Sequence, residues 1–229
     1  MNYINLLTVL FCAYLIGSIP FGLIIVKILK GHDIRTIQSG RTGGTNVGRA
    51  AGFGAGALTG VLDFFKAVIA VMIAQELIPD GSWRPWVIGA SGLLVILGHN
   101  YSVFLMERLS PGKFRLRGGA GGAACLGGSV AMYPPALLIL LPAVLLVLLG
   151  VGYASLATLS IAFIAFIIFT IRAIYYGASW AYAIYALLAQ VLLVIALIPN
   201  IKRLIQGNER VVGIRTWIKA KQDSKNNPD

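Results

Sequence analysis

The chain has 229 residues, 58% of them hydrophobic and only 12% charged, with a formal net charge of +11. A soluble domain of this length carries far more surface charge, and an outer-membrane barrel shows short alternating segments that are missing here, so the composition points to an all-α polytopic membrane protein. The positive charge lies between the apolar runs, which favours anionic headgroups and anionic substrates over nucleic acid as partners.

Seven transmembrane helices are expected in chain order. They run over residues 4–29, 53–78, 85–106 and 119–133, then from beyond Pro135 to 151, and over 155–175 and 180–198. Pro134 and Pro135 divide the fourth from the fifth, and the run before them is short. No basic segment precedes the first run, so it is expected to be retained as a span.

Three basic stretches then fall on one side: the loop 30–52, the loop 107–118 and the chain beyond 199. The opposite side holds little beyond Arg84 and Arg172. The positive-inside rule places the amino terminus outside and the carboxyl terminus in the cytoplasm. Residues 1–209 are expected to form one membrane domain, and 210–229 a basic polar tail. From residue 219 that tail reads as solvated, and Trp217 with its basic neighbours suits either an anionic leaflet or a plain hydrophilic end.

"QSGRTGGTNVGR", residues 38–49, joins the first two spans without a single acid. Gly40 and Gly43 let backbone amides approach an anion, Ser39, Thr45 and Asn46 offer neutral donors, and Arg41 and Arg49 offer charge-assisted ones. The Lys-Ser/Thr ending of a nucleotide-binding P-loop is absent. Gly52, Gly56 and Gly60 continue at four-residue spacing and are expected to serve close helix contact. A second cluster, "RGGAGGAACLGG" at 117–128, opens the fourth helix. Arg117, Gly118, Gly119 and Gly121 there suit either an anion cradle or helix packing.

Asp63 and Lys66 are three residues apart, roughly 15 Å into the second helix, where charges are costly and turn inward. A mutual ion pair and a catalytic role are both open readings. His99 closes the third helix beside the glycine cluster, and Ser155 starts the sixth, where serine commonly caps. Cys12 and Cys125 sit in apolar runs and imply neither a disulfide nor a thiolate site. No metal motif involves His32 or His99, and no cofactor is expected.

"GSIPFG" at 17–22, "SGRTGGTNVGR" at 39–49, "LDFFKA" at 62–67, "GHNYSVF" at 98–104 and "SLAT" at 155–158 occur in an order that resembles the PlsY family of bacterial membrane acyltransferases. The likeness runs from Gly17 to about Glu209. It implies seven helices in the cytoplasmic membrane and transfer of an acyl group from acyl-phosphate to the 1-hydroxyl of glycerol 3-phosphate, giving lysophosphatidic acid. By resemblance, Ser39, Arg49, His99 and Ser155 would be catalytic, Thr45 and Asn46 would join the phosphate site, and Asp63 and Lys66 match the family's intramembrane pair. Membrane lipids, another copy or a paralogue are further expected partners.

Three positions depart from the family pattern. Ala120 stands where the family has a lysine that reaches phosphate, Leu197 where it has a histidine before "NIKRL", and Arg41 where it has asparagine. Arg41, Lys113, Arg115 and Arg117 are the cations that can replace the lost charge. The alternative reading is a non-catalytic or altered-substrate paralogue that binds a phosphorylated ligand.

Overall fold

A computed structural model describes residues 3–213. Helices α1 (Tyr3–Ser18) and α2 (Phe21–Lys30) form the first apolar run. Pro20 divides them, since a proline ring offers no N–H and obstructs the preceding turn. The expected single helix over 4–29 is therefore two. A short helix α3 (Gly44–Ala51) follows, then α4 (Phe53–Leu77) and α5 (Arg84–Asn100).

The third expected span ends early. After Asn100 the chain forms a hairpin, β1 (Ser102–Ser110) and β2 (Lys113–Arg117), so the expectation of an all-α chain is corrected to a mostly helical one. Ser102 and Leu105 turn inward while Glu107 and Arg108 pair with Arg115 and Phe114 across the ladder. The turn between the strands carries Pro111 and Gly112, and Gly112 has φ +76°, the left-handed geometry a type II turn requires.

Helix α6 (Gly122–Met132) leads through one tight turn at Pro134–Ala136 into α7 (Leu137–Leu146), which widens into a π turn at Val147–Val151. Helices α8 (Ala154–Tyr176) and α9 (Trp180–Ile205) complete the bundle. α9 runs through Pro199 rather than stopping at 198. Five apolar helical stretches among the described residues are long enough to cross a membrane: Tyr3–Lys30, Phe53–Leu77, Pro134–Val151, Ala154–Tyr176 and Trp180–Ile205. α5 and α6 are shorter.

α5 lies at the centre, against α1, α4, α6 and α9. Small residues let it do so: a side chain at Gly17 would strike the Val95 backbone, and one at Gly92 would strike Met132 and Tyr185. Val95, Ile96, Val71, Cys125, Phe169, Tyr185 and Leu193 fill the main core. A second cluster of Ile25, Val26, Ile34, Val47 and Ala55 seats α2 and α3 against the start of α4. Ile4, Leu7, Phe11, Ile28, Leu138 and Leu146 face outward, as lipid-contacting residues do.

The glycines at 52, 56 and 60 do not act as one series. Gly56 meets Gly44 and Gly48 where α3 crosses α4, and the Gly60 backbone also borders Gly44, but a side chain added at Gly52 or Gly60 would enter open space. Residues 210–213 are not a free tail: Val211 bridges to Tyr153, and Val212 N–H donates to Gly152 O at 2.8 Å. Trp217 and the expected solvated stretch lie outside the described residues.

Candidate functional site

The basic stretches meet at one end of the bundle. Asp33 caps its turn by accepting the Arg35 N–H at 2.9 Å and pairs with the Arg35 guanidinium at 2.6 Å, which also reaches Glu107 on β1 at 3.2 Å. Arg117 lies 2.8 Å from Glu107 and donates to Arg35 O at 3.2 Å. Thr42 N–H donates to Gly118 O at 3.3 Å. These contacts fasten the 39–51 segment to the hairpin and to the start of α6.

Between them and α4, α8 and α9 lies a cavity of about 660 Å³. Ser39, Arg41, Gly43, Thr45, Asn46 and Arg49 line it from one segment, with Asp63 and His99 from α4 and α5, Gly121 before α6, and Ser155 from α8. Ten of the fifteen expected site residues are thus brought together. Gly40, Arg117, Gly118 and Gly119 line a smaller hollow of about 230 Å³ next to it, which Ser39 and Arg41 also reach. Lys66 lines neither.

The side chains divide by what already engages them. Asn46 donates through Nδ2 to Ile37 O at 3.1 Å and to Arg41 O at 2.9 Å. Both amide hydrogens are spent, so it clasps the loop and has none left for an anion. Gly118 and Gly119 are packing residues: a Cβ on Gly118 would strike the His99 and Asn100 backbone, and one on Gly119 the His99 ring. Ser155 is not the cap of α8. The helix begins at Ala154, and the Ser155 hydroxyl is buried, without a hydrogen-bond partner, at the cavity wall.

Lys66 Nζ sits 2.7 Å from Asp63 Oδ1 and donates to Ile19 O at 3.0 Å. It also lies 3.0 Å from His99 Nδ1. Nδ1 is also 3.4 Å from Asp63 Oδ1, so the ammonium and the carboxylate meet at the same ring nitrogen. Asp63 and Lys66 are the expected ion pair, with His99 as a third member on the cavity side.

Arg41 and Arg49 carry the cavity's positive charge. Desolvation lowers the pKa of both below the usual arginine value; Arg203 adds to this for Arg41, and Arg210 for Arg49. An arginine stays charged through such a change. Arg41 Nη2 donates to Ala196 O, one turn before Pro199, where the helix ladder is weakened. Its Nη1 is buried without a partner among the described residues.

Sequence reasoning missed Asn200 and Glu209. Both line the cavity, and Asn200 Nδ2 donates to Glu209 Oε1 at 2.8 Å. Asn200 opens the quoted "NIKRL", so its position was visible and its task was not. Ala120 and Leu197, two of the departures from the family pattern, also stand in the wall, and Phe53, Ala57, Leu148 and Leu149 make an apolar part of it.

The family model described as glycerol-3-phosphate acyltransferase matches residues 7–207. The chain belongs to the glycerol-3-phosphate acyltransferase family. It is 35% identical over 210 residues to glycerol-3-phosphate acyltransferase 2 of Moorella thermoacetica, covering 92% of this chain and 99% of the relative. The Thermus thermophilus acyltransferase is 36% identical over 208 residues, covering 90% and 94%. Among solved structures, the glycerol 3-phosphate form of PlsY, an integral membrane glycerol 3-phosphate acyltransferase, superposes with a TM-score of 0.78. The two are 33% identical, and the match covers 93% of this chain and 98% of that one. The lysophosphatidic acid form of PlsY gives a TM-score of 0.73 at 32% identity, over 91% and 95%. This member of the acyltransferase family is a multi-pass integral membrane protein.

Proposed function

We propose that this glycerol-3-phosphate acyltransferase takes its acyl group from acyl-phosphate and gathers the phosphates of both substrates in the cavity under residues 39–51. The observation that carries this is the charge balance of the lining. Its carboxylates are engaged, Asp63 by Lys66 at 2.7 Å and Glu209 by Arg203 at 3.3 Å, whereas Arg41 and Arg49 line the space with no carboxylate partner among the described residues. Two anionic groups fit there, and an acyl chain fits against Phe53, Leu148 and Leu149.

The reaction then needs little beyond placement and charge neutralisation. The 1-hydroxyl of glycerol 3-phosphate attacks the acyl carbonyl, the carbon–oxygen bond to phosphate breaks, and the hydroxyl proton ends on the released phosphate. The product is lysophosphatidic acid. The guanidiniums of Arg41 and Arg49 hold phosphate, the hydroxyls of Ser39 and Ser155 and the amides at the start of α3 add donors, and Asp63 and His99 form the floor.

The same reading takes α5 and α6 as short crossings, which gives seven spans with the amino terminus outside and the carboxyl end inside. The convergence of residues 30–52, 102–118 and 199–210 at one end supports it, because their lysines and arginines belong on the cytoplasmic side. Donor choice is the direct test. With purified protein and glycerol 3-phosphate, palmitoyl-phosphate should give monoacyl product and palmitoyl-coenzyme A should not. Product from the thioester alone would overturn the proposal.

A further inference from the structure

The cations around the cavity differ in how fully they are used. Lys66 is held by Asp63, His99 and Ile19 O, Arg117 by Glu107 and Arg35 O, and Arg203 by Glu209. Arg41 is anchored and yet unfinished. Its backbone carbonyl is gripped by Asn46, and Gly40 before it takes φ +67°, which turns the chain back over Arg35 O. Its Nη2 is tied to Ala196 O, and its Nη1 is buried in the wall of the cavity that Arg41 lines, without an acceptor among the described residues. A buried guanidinium hydrogen without an acceptor is rare in a folded protein, and a substrate oxygen supplies the missing partner.

We infer that Arg41 selects the acceptor: its free Nη1–H takes the phosphate of glycerol 3-phosphate, in a wall where Ala120 and Leu197 bring no charge. This rests on the acyl-transfer reading above. The assignment to the acceptor follows from the lie of the cavity. Of the two hollows, Arg49 lines only the larger, whose apolar wall of Phe53, Leu148 and Leu149 suits an acyl donor. Arg41 also lines the smaller one, with Tyr101, Arg115, Arg117 and Ala196.

The experiment compares wild type, Arg41→Ala, Arg41→Gln and the double variant Arg41→Ala/Ala120→Lys. Glycerol 3-phosphate binding is followed by calorimetry with no donor present, and both Michaelis constants are then measured with palmitoyl-phosphate. Arg41→Ala should weaken glycerol 3-phosphate binding about ten- to a hundredfold, the usual worth of a charge-assisted contact. The constant for palmitoyl-phosphate should stay within about twofold by the same scale. Ala120→Lys in that background should recover part of the loss by returning a cation to the cavity wall. Arg41→Gln keeps a polar side chain without the charge, so it should melt close to wild type and still bind poorly. Unchanged glycerol 3-phosphate affinity in both single variants, or a loss confined to palmitoyl-phosphate, would overturn the inference. Calorimetry needs no turnover, so a wild type that binds glycerol 3-phosphate yet makes no product defeats the acyl-transfer reading instead.

Discussion

The ammonium of Lys66 lies 3.0 Å from Nδ1 of His99, joining α4 to α5 inside the bundle. With Asp63 at 2.7 Å from the same ammonium, the three groups satisfy one another where water is scarce. Removing one member strands the others, which costs about 3–5 kcal/mol in buried pairs. Lys66→Met should therefore lower the melting temperature in detergent sharply. Asp63→Asn added to it should recover part of the loss by deleting the stranded charge. Equal melting of Lys66→Met and wild type would show that the ion pair does not matter to the fold.

Gly119 gives a second prediction. Its Cα lies against the imidazole of His99, and its N–H donates to His99 O at 2.9 Å. Gly119→Ala forces the ring away from the cavity at a cost of about 1–3 kcal/mol, the range for overpacking. Gly54→Ala, in the open, should cost nothing and serves as its control. Acyl transfer and thermal melting should both fall in the first variant and hold in the second.

Asn46 supplies a third. Asn46→Asp keeps the shape but removes both hydrogens that hold Ile37 O and Arg41 O. It also adds a negative charge beside the anion site. Each orphaned carbonyl costs about 1–3 kcal/mol where buried. Michaelis constants for both substrates should rise together, unlike the selective effect expected at Arg41. A rise for one substrate alone would mean that Asn46 contacts it directly rather than through the loop.

Much of this was legible in the sequence because charge and hydropathy are blunt signals in a membrane protein. The apolar runs located α4, α7, α8 and α9 to within a few residues, apart from the continuation of α9 through Pro199. The hairpin was hidden because "VFLM" resumes the apolar character of α5 only a few residues after His99 and Asn100 interrupt it. The Pro111-Gly112 turn was its one visible sign. Helix α3 was hidden for another reason. Glycines disfavour helix, and this one exists because Val47 is buried and Gly44 and Gly48 fit against Gly56. At the site, residue types announced an anion cavity, but not which of them were free. That Asn46 is spent on its own loop, and that Arg41 keeps a nitrogen unpartnered, depends on contacts between distant segments such as Ala196 and the 39–41 loop.

The central claim is that guanidiniums over this cavity hold the phosphates whose alignment makes the reaction run. Its most direct test is turnover of Arg49→Ala beside wild type, with palmitoyl-phosphate and glycerol 3-phosphate and with released phosphate and monoacyl product counted together. Wild type should release one phosphate for each lysophosphatidic acid formed, and Arg49→Ala should fall about ten- to a hundredfold in kcat/KM for palmitoyl-phosphate at an unchanged melting temperature. An Arg49→Ala enzyme as active as wild type would contradict the account.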